Sequence, residues 1–283
     1  MVPKGKLLIV GGHEDKGDIS GENLTIHKKK ISKSHFEILG TLISRIPRAH
    51  HIIEIIASAS SIPVEMEGMY IDSYKREGFT HVGIIKVESI EDACNLVSIK
   101  RVQSAHAVFF TGGDQSKLVS MIGQTELLSA IKNKYYSDKN FIVGGTSAGA
   151  MVMSETIITG GLIREALFKD DIEIGKGFNL INDVIIDTHF IKRGRFARLA
   201  HAVALNPSSL GIGLEENTAL VISEGNHAEC IGSGMVILID GSKIDNTNIA
   251  AVNHLTPIVI ENLNVSIIAE GSRYLFKERK FLI

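Results

Sequence analysis

Short, β-branched apolar runs recur along the chain, most of them stopped by glycine, serine or a charged turn. They occupy residues 7–10, 52–57, 81–87, 107–110, 141–143, 184–186 and 236–239. A strand with one wet face alternates apolar and polar residues. Unbroken apolar runs of this length instead suit strands covered on both faces, as in a parallel sheet. Between several of the runs lie segments with helical spacing. In residues 36–43, Phe36, Leu39 and Ile43 fall on one face. Pro63 opens a second such segment that extends to about residue 78, and residues 116–132 and 193–205 behave alike. Strand and helix in alternation predict an α/β fold with a doubly wound, mostly parallel sheet.

The 283 residues show no repeat, low-complexity tract or proline-rich linker, and are read as a single α/β domain spanning 1–283. From about Asn246 the chain turns β-rich, which predicts a completed sheet or an edge hairpin. Residues 17–34 are mostly polar, and their Lys28-Lys29-Lys30 run reads as a solvated loop and helix start rather than an anion site. A formal net charge of -2 gives no global attraction to nucleic acid or an acidic membrane, so neither partner is expected. The apolar run at 7–10 is too short for a signal-peptide core, and no run approaches the ~20 apolar residues needed to cross a bilayer. A cytoplasmic enzyme is the expectation. Cys94 and Cys230 lie far apart without CxxC spacing, so they carry no metal signal, and no disulfide between them is expected.

In an open parallel sheet, reactive groups belong at the carboxyl ends of strands. The sequence Phe141-Ile142-Val143-Gly144-Gly145-Thr146-Ser147-Ala148-Gly149-Ala150 is an apolar strand that meets Gly-Thr-Ser-Ala-Gly and then a run of helix formers. The bare G-x-S-x-G string is as common in glycine-rich turns with a capping serine. With strand and helix both in place, it reads as a nucleophile elbow carrying Ser147. The N–H of Ala148, at the start of the helix, is then a natural oxyanion donor.

A serine nucleophile needs a base. Among the chain's 11 histidines, His50, His51, His81 and His106 read as strand-edge residues. His13 and His189 stand at strand ends beside polar turns, and His189 closes the run at 184–186 through Asp187-Thr188-His189-Phe190. Further on, Gly211-Ile212-Gly213-Leu214-Glu215-Glu216-Asn217-Thr218-Ala219-Leu220 places two carboxylates between apolar runs. The pair suits a solvated hairpin turn, or one member could hold the imidazole in the right tautomer. The residues alone do not separate Glu215 from Glu216. The order Ser, His, Glu differs from that of the α/β-hydrolases, where the acid precedes the histidine.

In Phe110-Thr111-Gly112-Gly113-Asp114-Gln115, two glycines after a strand let backbone approach a ligand, so an N–H near Gly113 is a candidate second oxyanion donor. Asp114 also suits a helix N-cap. Arg193, Arg195 and Arg198 follow the proposed base closely. With Lys192 they make a basic solvated helix face; alternatively, their planar forks suit carboxylates, which they grip in a bidentate way.

Taken together, the segments at residues 11–16, 110–115, 145–150, 187–190 with the following arginines, and 211–219 resemble the cyanophycinases. These belong to a wider group of serine peptidases that includes dipeptidase E. The likeness covers roughly the first three quarters of the chain. It implies a fold like the class I glutamine amidotransferases and a Ser147–His189–Glu216 triad, with Glu216 taken over Glu215 on the family pattern. It implies that Gln115, Arg193, Arg195 and Arg198 meet an aspartate-rich substrate. Asp187 above all, with Asp114, Glu14 and Asp15, would meet the guanidinium groups of the substrate's arginines. The implied reaction is hydrolysis of cyanophycin, multi-L-arginyl-poly-L-aspartate, to β-aspartyl-arginine by an acyl-enzyme route that needs no metal or cofactor. Relatives of this kind are commonly homodimers. Two positions depart from the pattern: Thr188 stands where glutamine is usual, and His13 where a small residue is common. Other readings are a hydrolase of small aspartyl dipeptides and a non-catalytic relative that serves as a binding module.

Overall fold

A computed structural model describes residues 1–14, 38–46, 51–161 and 167–282 of the chain. The expectations for Asp15, residues 17–34, Phe36 and His50 fall outside these residues. The first part of the chain alternates as its pattern predicts: β1 (Lys6–Val10), α1 (Leu39–Ser44), β2 (Ile52–Ile56), α2 (Pro63–Arg76), β3 (His81–Ile84), α3 (Ile90–Ala93), α4 (Leu96–Ser104) and β4 (Ala107–Phe110). It continues with α5 (Gln115–Ile122), α6 (Glu126–Ser137), β5 (Ile142–Thr146) and α7 (Ala148–Met151). Strands then dominate: β6 (Thr156–Gly161), β7 (Ile172–Lys176), β8 (Val184–Asp187), α8 (Phe196–Leu205), β9 (Leu210–Leu214), β10 (Thr218–Ser223), β11 (His227–Gly232) and β12 (Met235–Asp240). The chain closes with β13 (Asn246–Thr247), β14 (Ile260–Glu261), β15 (Asn264–Ala269), β16 (Arg273–Leu275) and β17 (Lys280–Leu282).

A nine-stranded sheet in the order β17-β16-β11-β10-β1-β5-β4-β2-β3 forms the centre. The strands β1, β5, β4, β2 and β3 pair in parallel. Five of the seven unbroken apolar runs supply this block; the run at 184–186 enters β8, parallel to β9 in a second sheet, and the run at 236–239 enters β12, antiparallel to both its neighbours. The other four strands of the central sheet join antiparallel, beginning with β10 against β1. The sheet is therefore a parallel block with an antiparallel wing. A second sheet, β15-β12-β9-β8, pairs β8 with β9 in parallel and its other strands antiparallel. The β-rich end of the chain is divided: β15 joins the second sheet, and the hairpin of β16 and β17 finishes the edge of the first.

Two expected helices are shortened or split. Residues 116–132 form two, because Gly123 ends α5 and the Thr125 hydroxyl then accepts from Leu128 N–H to cap α6. Gly194, with φ of 62°, breaks the backbone ahead of α8, so the helix begins at Phe196 rather than 193. One hydrophobic cluster draws side chains from both sheets, among them Leu7, Phe110, Val143, Ile185, Ile212 and Leu238, with Leu199 of α8. Each such fully buried side chain contributes about 1.5–3 kcal/mol, so this shared core fixes the second sheet against the first. No helix among the described residues is long and apolar enough to cross a membrane.

Candidate active site

The end of β1 gathers the site. Its last carbonyl and the two that follow each take an N–H from a different segment: Val10 from Ser147 at 3.0 Å, Gly11 from His189 at 2.9 Å and Gly12 from Asn217 at 2.9 Å. β1 lies between β5, which ends at Thr146, and β10, which begins at Thr218. The turn after β8 comes in from the second sheet. A serine, a histidine and a glutamate that are distant in sequence thus meet at the carboxyl edge of one strand, where an open α/β sheet places its ligands.

Ser147 sits at φ 52°, ψ −118°, the strained corner of a strand-to-helix elbow, with α7 starting at the next residue. The corner closes only because its flanks are bare: a Cβ on Gly145 would lie 2.4 Å from Gly149 O, and one on Gly149 would lie 2.3 Å from Phe110 O. The Ser147 hydroxyl is 3.0 Å from His189 Nε2, and His189 Nδ1 is 2.8 Å from Glu216 Oε1. Glu216 also accepts from Lys192 Nζ at 2.7 Å through Oε2. Glu215, its neighbour, turns the other way and accepts from the N–H groups of Ile191 at 2.6 Å and Lys192 at 3.3 Å. The geometry separates the two acids that the residues alone could not.

Electrostatics suit the two partners to different tasks. Burial pushes the His189 imidazole below its ordinary value, and the charges of Arg193 and Arg195 push the same way, against the pull of Glu216. Burial would raise the Glu216 carboxyl, but hydrogen bonds from Lys192 and His189 outweigh it and hold the group below the usual range. Near neutral pH this leaves an imidazole able to accept a proton beside a carboxylate able to stabilise the imidazolium.

Gly112 lies against Ser147, and Gly113 lies against Ala59. A Cβ on Gly112 would stand 3.3 Å from Ser147 Cβ, whereas one on Gly113, at φ 143°, would lie 2.0 Å from Ala59 O. Asp114 caps α5, with Oδ1 accepting from Ser116 N–H at 2.7 Å and Lys117 N–H at 3.2 Å. The Gln115 amide donates to Ile158 O at 3.0 Å and ties the loop to β6. The Ala148 N–H opens α7 beside the serine.

The arginine segment is arranged differently from a free basic face. Asp187 is 0% exposed and is held by the chain's own guanidiniums: Arg195 Nη1 at 3.0 Å and Arg198 Nε at 2.6 Å. Arg195 Nη1 also donates to Thr188 O at 2.7 Å. Burial brings Arg195 down to about 10 despite Asp187. The buried Thr188 hydroxyl has no partner among the described atoms. Arg193 is exposed and close enough to act on His189 through its charge. Glu14 points inward instead, accepting from the Tyr70 hydroxyl and from Thr146 Oγ1 at 2.7 Å, at the residue before Ser147. A guanidinium from outside would find both the Glu14 and Asp187 carboxylates already engaged.

Several contributors were not singled out from the sequence. Lys192 was read only as part of a solvated face, yet it clamps Glu216. Gly12, at φ 104°, must be bare because a Cβ there would lie 2.4 Å from His189 Cε1. The Gly11-Gly12 pair after the first strand was the available signal for it.

Residues 36–230 match the model for Peptidase family S51. The cyanophycinase of Nostoc sp. (strain PCC 7120 / SAG 25.82 / UTEX 2576) is 32% identical over 280 residues, covering 99% of this chain and 88% of the relative. That of Synechococcus elongatus is 31% identical over 271 residues, covering 96% and 79%. A crystal structure of a peptidase from an acI-B1 Actinobacterium shares the fold with a TM-score of 0.65 at 24% identity, covering 96% of this chain and 97% of that one. The matched region contains the elbow, the imidazole and the carboxylate described above, and on that match the chain is a peptidase belonging to family S51.

Proposed function

We propose that the chain is a serine-type hydrolase that cuts beside aspartyl residues, with Ser147 as nucleophile, His189 as base and Glu216 as its orienting acid. The observation that carries this reading is the unbroken hydrogen-bonded line from Ser147 Oγ through both nitrogens of His189 to Glu216 Oε1, at 3.0 and 2.8 Å. On this reading the sheet is arranged as in the class I glutamine amidotransferases.

Glu216 keeps the imidazole proton on Nδ1, which leaves Nε2 free to accept. As Ser147 attacks the aspartyl carbonyl, its proton passes to Nε2 and the negative charge moves onto the carbonyl oxygen. The N–H groups of Ala148 and Gly113 receive that charge, and losing one such donor typically costs ~10²–10³-fold in rate. His189 then protonates the leaving amine, and water, activated by the same imidazole, releases the acyl group. No cofactor takes part.

The substrate favoured by the cyanophycinase relatives is cyanophycin, with β-aspartyl-arginine as product. Asp114 and Gln115 lie on the Ser147 side, and Asp187 to Arg198 on the His189 side. Arg193 at the surface meets a substrate carboxylate, while Arg195 and Arg198, pinned on Asp187, add a fixed positive field. Asp187 and Thr188 act on the substrate through these arginines. Incubating the protein with the insoluble polymer, and separately with α- and β-aspartyl dipeptides, tests the reading. Soluble dipeptide released from the polymer, and lost in Ser147→Ala, supports it. Turnover of dipeptides alone would shift the substrate to small aspartyl peptides, and turnover of neither would sink the hydrolase reading.

A further inference from the structure

His13 has no part in the proposed mechanism, yet it stands next to it. Its side chain is 67% exposed, and its Nε2 lies 3.7 Å from Glu216 Oε1, the same oxygen that faces His189 Nδ1 at 2.8 Å. The two imidazoles meet edge to face, with ring centroids 5.4 Å apart. One nitrogen from each ring and one Glu216 oxygen all fall within 4.8 Å of one another. Two neutral imidazoles and a carboxylate form a donor set typical of Zn²⁺, with bonds of about 2.0–2.2 Å. Around one tetrahedral ion the ligand atoms stand ~3.3 Å apart, so Glu216 Oε1 eases away from His189 Nδ1 while the exposed His13 side chain closes in. One open face, through the exposed His13, lets a hydrated ion enter and keep a water. Lys192 Nζ, 2.7 Å from the other Glu216 oxygen, opposes a second cation, but its side chain is 61% exposed and can swing into solvent.

We propose that His13, His189 and Glu216 together bind a divalent ion of the zinc class, and that the bound ion switches the enzyme off. The cause of inhibition is the proton. An ion seated on His189 Nδ1 takes the place of the hydrogen that Glu216 holds there, so the ring's single proton moves to Nε2. Nε2 then donates toward Ser147 Oγ instead of accepting from it, and the serine loses its base. Glu216 is drawn to the ion at the same time.

The inhibition half of this inference rests on the hydrolase reading of the preceding subsection; the binding half does not. The test pairs calorimetric titration of the full chain with ZnCl₂ against turnover in the same buffer, read as dipeptide released from cyanophycin and as cleavage of aspartyl dipeptides, before and after chelation by EDTA. One equivalent bound, with turnover suppressed at least tenfold and restored by EDTA, is the expected result. His13→Asn keeps a residue tolerant of the left-handed backbone that His13 adopts at φ 47°. It should weaken Zn²⁺ binding by at least ~10-fold and keep turnover when the wild type is silenced. For a variant that does not fold, selective broadening of the His13 and His189 ring signals by Co²⁺ in the wild-type protein serves instead. Zn²⁺ that does not bind, or that inhibits His13→Asn as strongly as wild type, or Co²⁺ that broadens other histidines and spares these two, overturns the proposal. One Zn²⁺ bound through His13 by a protein that turns over nothing would sustain the site and remove the hydrolase reading instead.

Discussion

Glu215 and Glu216 lie where β9 gives way to the turn before β10, and their carboxylates go to different partners: Glu216 reaches His189, and Glu215 reaches the backbone of the turn that follows His189. Glu216→Gln should therefore cut kcat roughly 10⁴-fold, since an amide no longer enforces the catalytic tautomer. Glu215→Gln should leave kcat within about tenfold of wild type, because an amide oxygen still accepts from the turn. Equal losses in steady-state kinetics of the two variants would contradict the assignment. The pH dependence follows from burial and from Arg193. His189 must be neutral to act, and its imidazole titrates below the ordinary value of 6.5. Activity should rise with pH to a plateau, with the acid limb of kcat/KM centred below that value. Arg193→Gln removes a positive charge, so the limb should move to higher pH. A limb centred above 7, or one that Arg193→Gln leaves in place, would show that His189 is not the titrating base. At this scale the sequence led to a different partner for Asp187. The resemblance offered it to a guanidinium of the substrate, whereas the arginines of this chain fold back over it and make it a buried ion-pair centre.

Among elements, β1 does more than its five residues suggest. Its last carbonyl and the two that follow hold Ser147, His189 and Asn217, the residue after Glu216. Gly12 has to be bare for this, because a side chain there would run into the His189 ring. Gly12→Ala is expected to shift the imidazole and lower kcat by ~10²-fold or more, the usual cost of about 1 Å of misplacement, with KM changed little. Unchanged kcat in a folded Gly12→Ala protein would refute the part given to this strand. Most strand positions were legible, since a run buried on both faces leaves no polar residue to disguise it. Residues 107–110 form the strand their pattern predicts, and 52–57 and 184–186 miss by one residue. Helix bounds were less legible where capping residues interrupt an otherwise continuous apolar stripe, as at Thr125 and Gly194.

Across the whole molecule, the site depends on two sheets keeping their relative position. Ser147 follows a strand of the first and His189 a strand of the second, while Glu216 lies on the connection between β9 and β10 that passes from one to the other. The core they share predicts that activity and helical and strand structure disappear together in urea. Far-UV circular dichroism and dipeptide release from cyanophycin should give coincident midpoints; release lost at clearly lower urea would mean that the sheets part before they unfold. The antiparallel wing was not legible in advance. Local pattern tells how many faces of a strand are covered, not which neighbour it takes. In the structure the residues of His227 to Gly232 alternate in burial, as in a sheet with one more open face. The nucleophile is the claim on which everything else turns. It is tested most directly by treating the intact protein with a fluorophosphonate and locating the adduct by mass spectrometry. The account predicts one adduct per chain, on the peptide carrying Ser147, with turnover abolished in proportion and no adduct in Ser147→Ala. An unlabelled Ser147 in a protein that continues to hydrolyse aspartyl substrates would contradict it.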